Sequence, residues 1–224
     1  MWNWGDIIEK CRQLFQTKSE GEEAENAIRK AWEEAARAEE KKMSMMKKWN
    51  NMGKMRILVI SDTHRNVRKI EEVMKQEEKV DLVLHMGDLE GHGEYIRQVT
   101  GCPLEAVRGN CDYDGQYPVN HVIEVGGHVI FMTHGHCYGV EYDLEELKDM
   151  AKGCGADIVM YGHTHKPYFQ QMKDDIVILN PGSLGYPRQD PRKSSYMIME
   201  ADTDTGEIKY HQRCLKGAEE ARFF

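Results

Sequence analysis

Five short polar clusters in this sequence each close an apolar run: Ser61-Asp62-Thr63-His64, Gly87-Asp88, Gly109-Asn110-Cys111-Asp112, His134-Gly135-His136 and Gly162-His163-Thr164-His165. Carboxylate oxygen, amide oxygen and imidazole nitrogen together suit borderline divalent ions such as Mn, Fe, Zn or Ni. No cysteine is needed in the set, which argues against a structural zinc site. The candidate donors are Asp62, His64, Asp88, Asn110, His134, His163 and His165. They exceed what one ion with open positions requires, whereas two ions ~3.5–4 Å apart that share one carboxylate would use them all. On extended chain both members of Asp62-x-His64, and both of His163-x-His165, point to the same side and reach one centre. Neighbouring glycines let backbone come close to metal and substrate. One such fragment alone marks a turn or nothing. The weight comes from all five, in this order, each ending a strand pattern.

The elements that must position these groups begin at Met55. MRILVIS is a β-rich apolar run, VRKIEEVMKQ is amphipathic, and VDLVLHM, GEYIRQV and LEAVRGN follow. Strand, helix, strand, helix, strand is the βαβ signature of a sheet with helices on its faces. HVIEVGGHVIFMTHG then reads as a hairpin with a primed turn at Gly126-Gly127. LEELKDMAK is expected as a helix closed by Gly153, and ADIVMYG, IVILNPG and SYMIMEAD as strands, with a hairpin turn over Asp202 to Gly206. In open α/β sheets ligands bind outside the carboxyl ends of the strands, so five strand ends project their polar groups toward one crevice.

Before Met55 the texture differs. Trp4, Ile7, Ile8, Cys11, Leu14 and Phe15 recur at helix spacing. Ser19 and Glu22 form a capping box ahead of a second helix carrying Ala24, Ile28, Trp32 and Ala35 on one side. The expectation is a helical hairpin over 1–54, packed on the domain at 55–224 or on another subunit as a homo-oligomer contact. The net charge of -8 argues against a nucleic-acid backbone as main partner, which needs a surplus of Lys and Arg. Six scattered cysteines with no CxxC pair read as reduced thiols. No stretch approaches the ~20 apolar residues of a membrane span. The start MWNWGDIIEK lacks a basic leader region, so the expected location is the cytoplasm.

As a set, the motifs resemble the metallophosphoesterase (calcineurin-like) superfamily, whose pattern is D-x-H, GD, GN-x-[DE], H, GH-x-H. SDTH, GNCD, THGH, GHTHKP and NPGSLGYPR are similar to its YfcE-type branch of small phosphodiesterases, over about Met55 to Arg213. The resemblance implies an α/β fold, a two-sheet β-sandwich flanked by helices, here with an N-terminal helical extension. It implies that Asp62, His64 and His165 hold a first ion, that Asn110, His134 and His163 hold a second, and that Asp88 bridges them. The cofactors would be two divalent ions, manganese first, with nickel, iron, zinc or magnesium as alternatives. A hydroxide between two such ions would attack phosphorus in line.

One departure matters. Many members carry histidine after the GN asparagine, to protonate the leaving oxygen; here the residue is Cys111. A thiol with a reference pKa of ~8.5 is poorly matched to that task. Esters with good leaving groups, typified by aryl phosphodiesters, are therefore the expected substrates, with His136 as a partial substitute donor. Asp112 is expected to orient a neighbour rather than bind metal. Asn180, Ser183 and Arg188 are candidate substrate contacts, with a purely supporting turn as the alternative for the first two. His85 reads as a packed or outer-layer histidine, and His92, His121, His128 and His211 as solvent-facing. The function expected is a metal-dependent phosphodiesterase acting on small soluble phosphoesters. Its rivals are a phosphomonoesterase or nucleotide pyrophosphatase on the same scaffold, and a non-catalytic protein-binding module such as the retromer subunit with this fold.

Overall fold

Two mixed five-stranded sheets dominate the computed structural model, which describes residues 52–171 and 176–216 together with positions 30, 37, 40, 43, 44, 47, 49 and 50. The chain divides into two compact units, Met1–Lys48 and Trp49–Phe224. Within the first, the described positions between 30 and 47 are helical. The two apolar stripes, the capping box and the subunit contact expected of that segment lie outside the described residues.

In the second unit, β1 (Lys54–Ile60), β2 (Leu82–His85) and β3 (Leu104–Ala106) run parallel, linked by α1 (Lys69–Gln76) and α2 (Gly93–Thr100). Parallel neighbours need such crossovers. β9 (Ser195–Asp202) pairs antiparallel with β1, and β10 (Ile208–Cys214) with β9, giving the order β10-β9-β1-β2-β3. The other sheet has the order β4-β5-β6-β8-β7, from β4 (Asn120–Val125), β5 (His128–Thr133), β6 (Ile158–Met160), β7 (Pro167–Gln170) and β8 (Val177–Pro181). Its β5, β6 and β8 are parallel, and α3 (Glu145–Gly153) connects β5 to β6.

The β4–β5 hairpin pairs Val125 with His128 across Gly126 and Gly127, whose φ values are 60° and 80°. Positive φ at both positions is what a type I′ turn demands. One detail differs from expectation. Gly153 is the last residue of α3 rather than its stop, and the chain leaves through Gly155 at φ 70°.

Side-chain alternation explains the layering. Leu58, Ile60, Val83 and Ile198 form one core with Ile70 and Val73 of α1 and Ile96 of α2. Their alternates Ile57, Val59, Leu82, Leu84, Met197 and Met199 are equally buried, so the opposite face must also be covered. Likewise Phe131, Val159 and Ile178 pack with Leu147 and Ala151 of α3, while Ile130, Met132, Ile158, Met160 and Leu179 are buried on the other side. Each sheet thus has helices outside and the other sheet inside, a β-sandwich. Each fully buried aliphatic side chain contributes about 1.5–3 kcal/mol. The sheets also touch through Phe169 and Tyr210, ring centroids 5.2 Å apart, and through Gln212 Nε2, which donates to the Pro181 carbonyl at 3.1 Å.

Candidate metal centre

All seven candidate donors sit just past strand ends. Asp62 and His64 follow β1, Asp88 follows β2, and Asn110 lies beyond β3; His134 follows β5, and His163 and His165 follow β6. One sheet therefore supplies four donors and the other three. Nε2 of His165 lies 3.2 Å from Asp62 Oδ1, and Nε2 of His64 lies 3.7 Å from Asp88 Oδ2. Nε2 of His134 is 3.1 Å from Asn110 Oδ1, 3.5 Å from Asp88 Oδ2 and 3.9 Å from Asp62 Oδ1. Asp62, His64 and His165 form one triad with mutually close donor atoms, Asp62, Asp88 and His134 a second, and His64, Glu90 and Cys111 a third.

The other ring nitrogens fix the tautomers. His134 Nδ1 donates to the Met86 carbonyl and His165 Nδ1 to the Tyr186 carbonyl, each at 2.6 Å. His64 Nδ1 meets Glu90 Oε1 at 2.9 Å. A carbonyl or carboxylate oxygen only accepts, so Nδ1 carries the hydrogen and a neutral ring presents a bare Nε2 lone pair. Three such lone pairs then face carboxylate and amide oxygens. Asp62 Oδ1 is buried and accepts no hydrogen bond. Only positive charge resolves this crowd, either as extra protons on buried rings or as cations among them. The donor set and the orphaned oxygen fit divalent ions.

His163 is placed differently. Its Nε2 bonds to Glu141, which leaves Nδ1 as the nitrogen available to an ion. Its ring lies 5.1 Å from that of His134 and 6.1 Å from that of His136. Among the described residues His163 belongs to none of these triads.

The local chain is held under strain to achieve this. Among the described residues, the non-glycine positions with positive φ are Asp62 (51°), His64 (46°), Asp88 (59°), Glu90 (49°), His163 (65°) and His165 (59°). Each such residue costs about 1–3 kcal/mol and persists only where its surroundings dictate it. Asp112 is one cause. Its buried carboxylate accepts the backbone N–H groups of Asp88 and Gly109 at 2.8 Å, and of Glu90 at 2.6 Å. It orients loops, as its position after the GN pair implied. Gly109 and Gly162 leave room: a Cβ would meet Asp88 Oδ1 or Ser61 Oγ at 2.0 Å.

Burial raises the Asp62 carboxyl, but His165, His134 and the Ser61 hydroxyl outweigh it and hold Asp62 below the usual carboxylate range. Burial drives His85 down to about 3, and its Nε2 bonds the Thr63 hydroxyl at 3.0 Å. It is a packed neutral histidine behind the site. Burial, with Asp88 next in effect, pushes Cys111 up to about 11, which keeps it a protonated thiol. Burial and the neighbouring His134 and His163 lower His136, so that ring is neutral near pH 7. Its Nδ1 is buried without a partner.

The expected substrate contacts part ways. Asn180 is fully buried; its amide donates to the Gly162 carbonyl and its Oδ1 accepts from Gly182. Ser183 is fully buried and donates to the Asp62 carbonyl at 2.9 Å. Both side chains thus brace the loops that carry Asp62 and His163, the supporting role expected as the alternative. Arg188 is exposed, and its backbone N–H donates to the His165 carbonyl. The four histidines expected to face solvent are half-buried. His92 bonds the Leu89 carbonyl, His121 bonds Glu105, His128 bonds Asp157, and His211 pairs with Glu200. Sequence reasoning passed over Glu90, Glu141 and Tyr186. The Tyr186 ring is 5.2 Å from that of His64 and 46% exposed, at the mouth of the site.

Comparison with known proteins agrees with this geometry. Residues 55–204 match the family model of the calcineurin-like phosphoesterase superfamily domain. The chain is 31% identical over 160 residues to a probable metallophosphoesterase, YsnB, of Bacillus subtilis, covering 71% of this chain and 92% of that protein. It is 27% identical to the phosphodiesterase YfcE of Escherichia coli K12, covering 66% and 89%. A solved structure of a predicted phosphoesterase from Streptococcus pneumoniae aligns with TM-score 0.57 and 31% identity, covering 72% and 99%. Vacuolar protein sorting 29 of Cryptosporidium parvum shares the fold, with TM-score 0.54 at 21% identity, covering 72% and 97%. With its domain matched and its strand-end motifs in place, the chain belongs to the calcineurin-like phosphoesterase superfamily.

Proposed function

We propose that this protein is a metal-dependent phosphodiesterase that hydrolyses small phosphoesters with good leaving groups. The observation that carries the reading is the inward set of Nε2 atoms on His64, His134 and His165, gathered around Asp62 and Asp88 within 3.2–3.9 Å. Asp62, His64 and His165 would hold one divalent ion, Asn110, His134 and His163 the other, and Asp88 both. Manganese is the first choice among ions that suit these donors. When bound, such ions lower the pKa of water and draw charge from phosphoryl oxygens.

The chain's own residues do the rest. Asp112 and Gly109 fix the loop that presents Asp88 and Asn110. Exposed Arg188, whose backbone bonds the His165 carbonyl, would meet a substrate oxyanion. Cys111, held as a thiol, leaves no strong acid for a poor leaving group, which favours aryl-type diesters. No described helix is long and apolar enough to cross a membrane, which accords with a small soluble substrate met in the cytoplasm.

The test is a metal-reconstituted activity screen over diesters, monoesters and nucleotides, with Asp88→Ala as blank. Metal-dependent turnover of aryl diesters that vanishes in the blank supports the reading. Faster turnover of monoesters or pyrophosphates moves the assignment to those classes. Ion binding without turnover of any phosphoester favours the protein-binding role.

A further inference from the structure

We infer that Glu90 is a positioning residue of this centre: its carboxylate fixes the tautomer and direction of the His64 ring. The inference rests on the reading that the site holds divalent ions, and assigns Glu90 to bracing a ligand rather than to ligating an ion beside His64 and Cys111.

Three observations carry it. First, among the described residues six non-glycine positions have positive φ; five are candidate ligands and the sixth is Glu90 at 49°. Asp, Asn and His tolerate that region better than most residues. Glutamate has no such tolerance, so something must hold it there. Second, the pairs Asp62/His64, Asp88/Glu90 and His163/His165 share one spacing and one backbone conformation. Asp88-x-Glu90 is thus built like the two ligand pairs. Third, Glu90 is gripped at both ends. Its backbone N–H donates to Asp112 Oδ1 at 2.6 Å, and its Oε1 accepts His64 Nδ1–H at 2.9 Å. A ligating histidine needs its second nitrogen engaged in this way, because the partner sets the tautomer and raises ligand basicity.

The competing explanation is a plain surface ion pair. Arg65 does meet Glu90 Oε2 at 3.2 Å, but the Arg65 side chain is 86% exposed. Exposed pairs contribute little and need no strained backbone.

The experiment compares wild type, Glu90→Ala, Glu90→Gln and Arg65→Ala, stripped with chelator and titrated calorimetrically with Mn²⁺. Glu90→Ala should weaken one of two ion-binding steps by about 10- to 100-fold and leave the other unchanged. Glu90→Gln should lie between, because its amide oxygen still accepts Nδ1–H. Arg65→Ala should match wild type. In parallel, kcat of Glu90→Ala at saturating Mn²⁺ should return toward the wild-type value while the Mn²⁺ requirement rises. A merely structural loss would not split this way. Both affinities within twofold of wild type in Glu90→Ala, or equal weakening of both with a fall in Tm, overturns the inference. If Glu90→Ala does not fold, Glu90→Gln decides, and two unchanged affinities overturn it. Wild type that takes up no Mn²⁺ defeats the functional reading instead, which separates the two failures.

Discussion

The Nε2 atoms of His64 and His165 lie 3.5 Å apart, although each ring already commits its Nδ1 to an oxygen. With Nδ1 so committed, the two rings turn Nε2 toward each other, beside Asp62 Oδ1. The chelator-stripped protein should therefore be less stable near neutral pH than the loaded one. At an ion concentration ~100 times Kd, binding to the native state alone adds about 2.7 kcal/mol. Thermal unfolding with and without Mn²⁺ measures this. An identical Tm under both conditions would contradict the account.

Asp112→Ala removes the acceptor of three backbone N–H groups, those of Asp88, Gly109 and Glu90. Buried donors left unsatisfied cost about 1–3 kcal/mol each, so a destabilisation of about 3 kcal/mol or more is expected. Metal affinity should fall with it. Denaturant unfolding checks the first outcome and ion titration the second.

Gly109→Ala places a methyl group where Asp88 Oδ1 now lies, 2.0 Å from the new carbon. The carboxylate or the loop must move. A displacement near 1 Å at a reacting site lowers the rate by about 100-fold. Steady-state kinetics on an aryl diester tests this, and activity within threefold of wild type would show that the loop has slack.

Cys111→His restores a better-matched proton donor beside Asn110, since the present thiol sits at about 11. Turnover of monoesters with poor leaving groups should rise at least about tenfold. The ratio of poor to good leaving-group rates is the measurement. No gain at all counts against the proposed substrate preference.

Away from the site, His128 lends pH dependence to folding. Burial, the largest influence, lowers its pKa, but the Gly206 carbonyl and Asp157 together raise it above the ordinary 6.5. A raised folded-state value means stabilisation fully present below about pH 6.5, and lost as pH climbs through the folded-state value. Wild type should thus exceed His128→Asn in stability at pH 6, and the gap should close in alkaline buffer. Urea unfolding across that range tests the sign.

Much of this was legible in the sequence because strand ends announce themselves. Short continuous apolar runs stop at Ile60, His85, Thr133 and Met160, and the polar groups that follow are the candidate donors. The family resemblance then predicted the sandwich. What stayed hidden was the partner of each histidine's second nitrogen. Glu90 is 26 residues from His64, Glu141 is 22 from His163, and Met86 is 48 from His134. Spacing along the chain does not encode such pairs; only the docking of neighbouring loops creates them. The same reason explains the burial of Asn180 and Ser183 in a turn that the sandwich closes over, and the carboxylate partners of His121, His128 and His211.

The split origin of the donors carries a mechanical implication. Asp62, Asp88 and Asn110 hang from one layer, and His134, His163 and His165 from the other. Any cation seated between them acts as a rivet through both plates at one rim of the molecule. Slippage of one layer over the other would pull the rivet's grips apart, so loading should quiet relative motion of the layers most at that rim and least at the opposite edge.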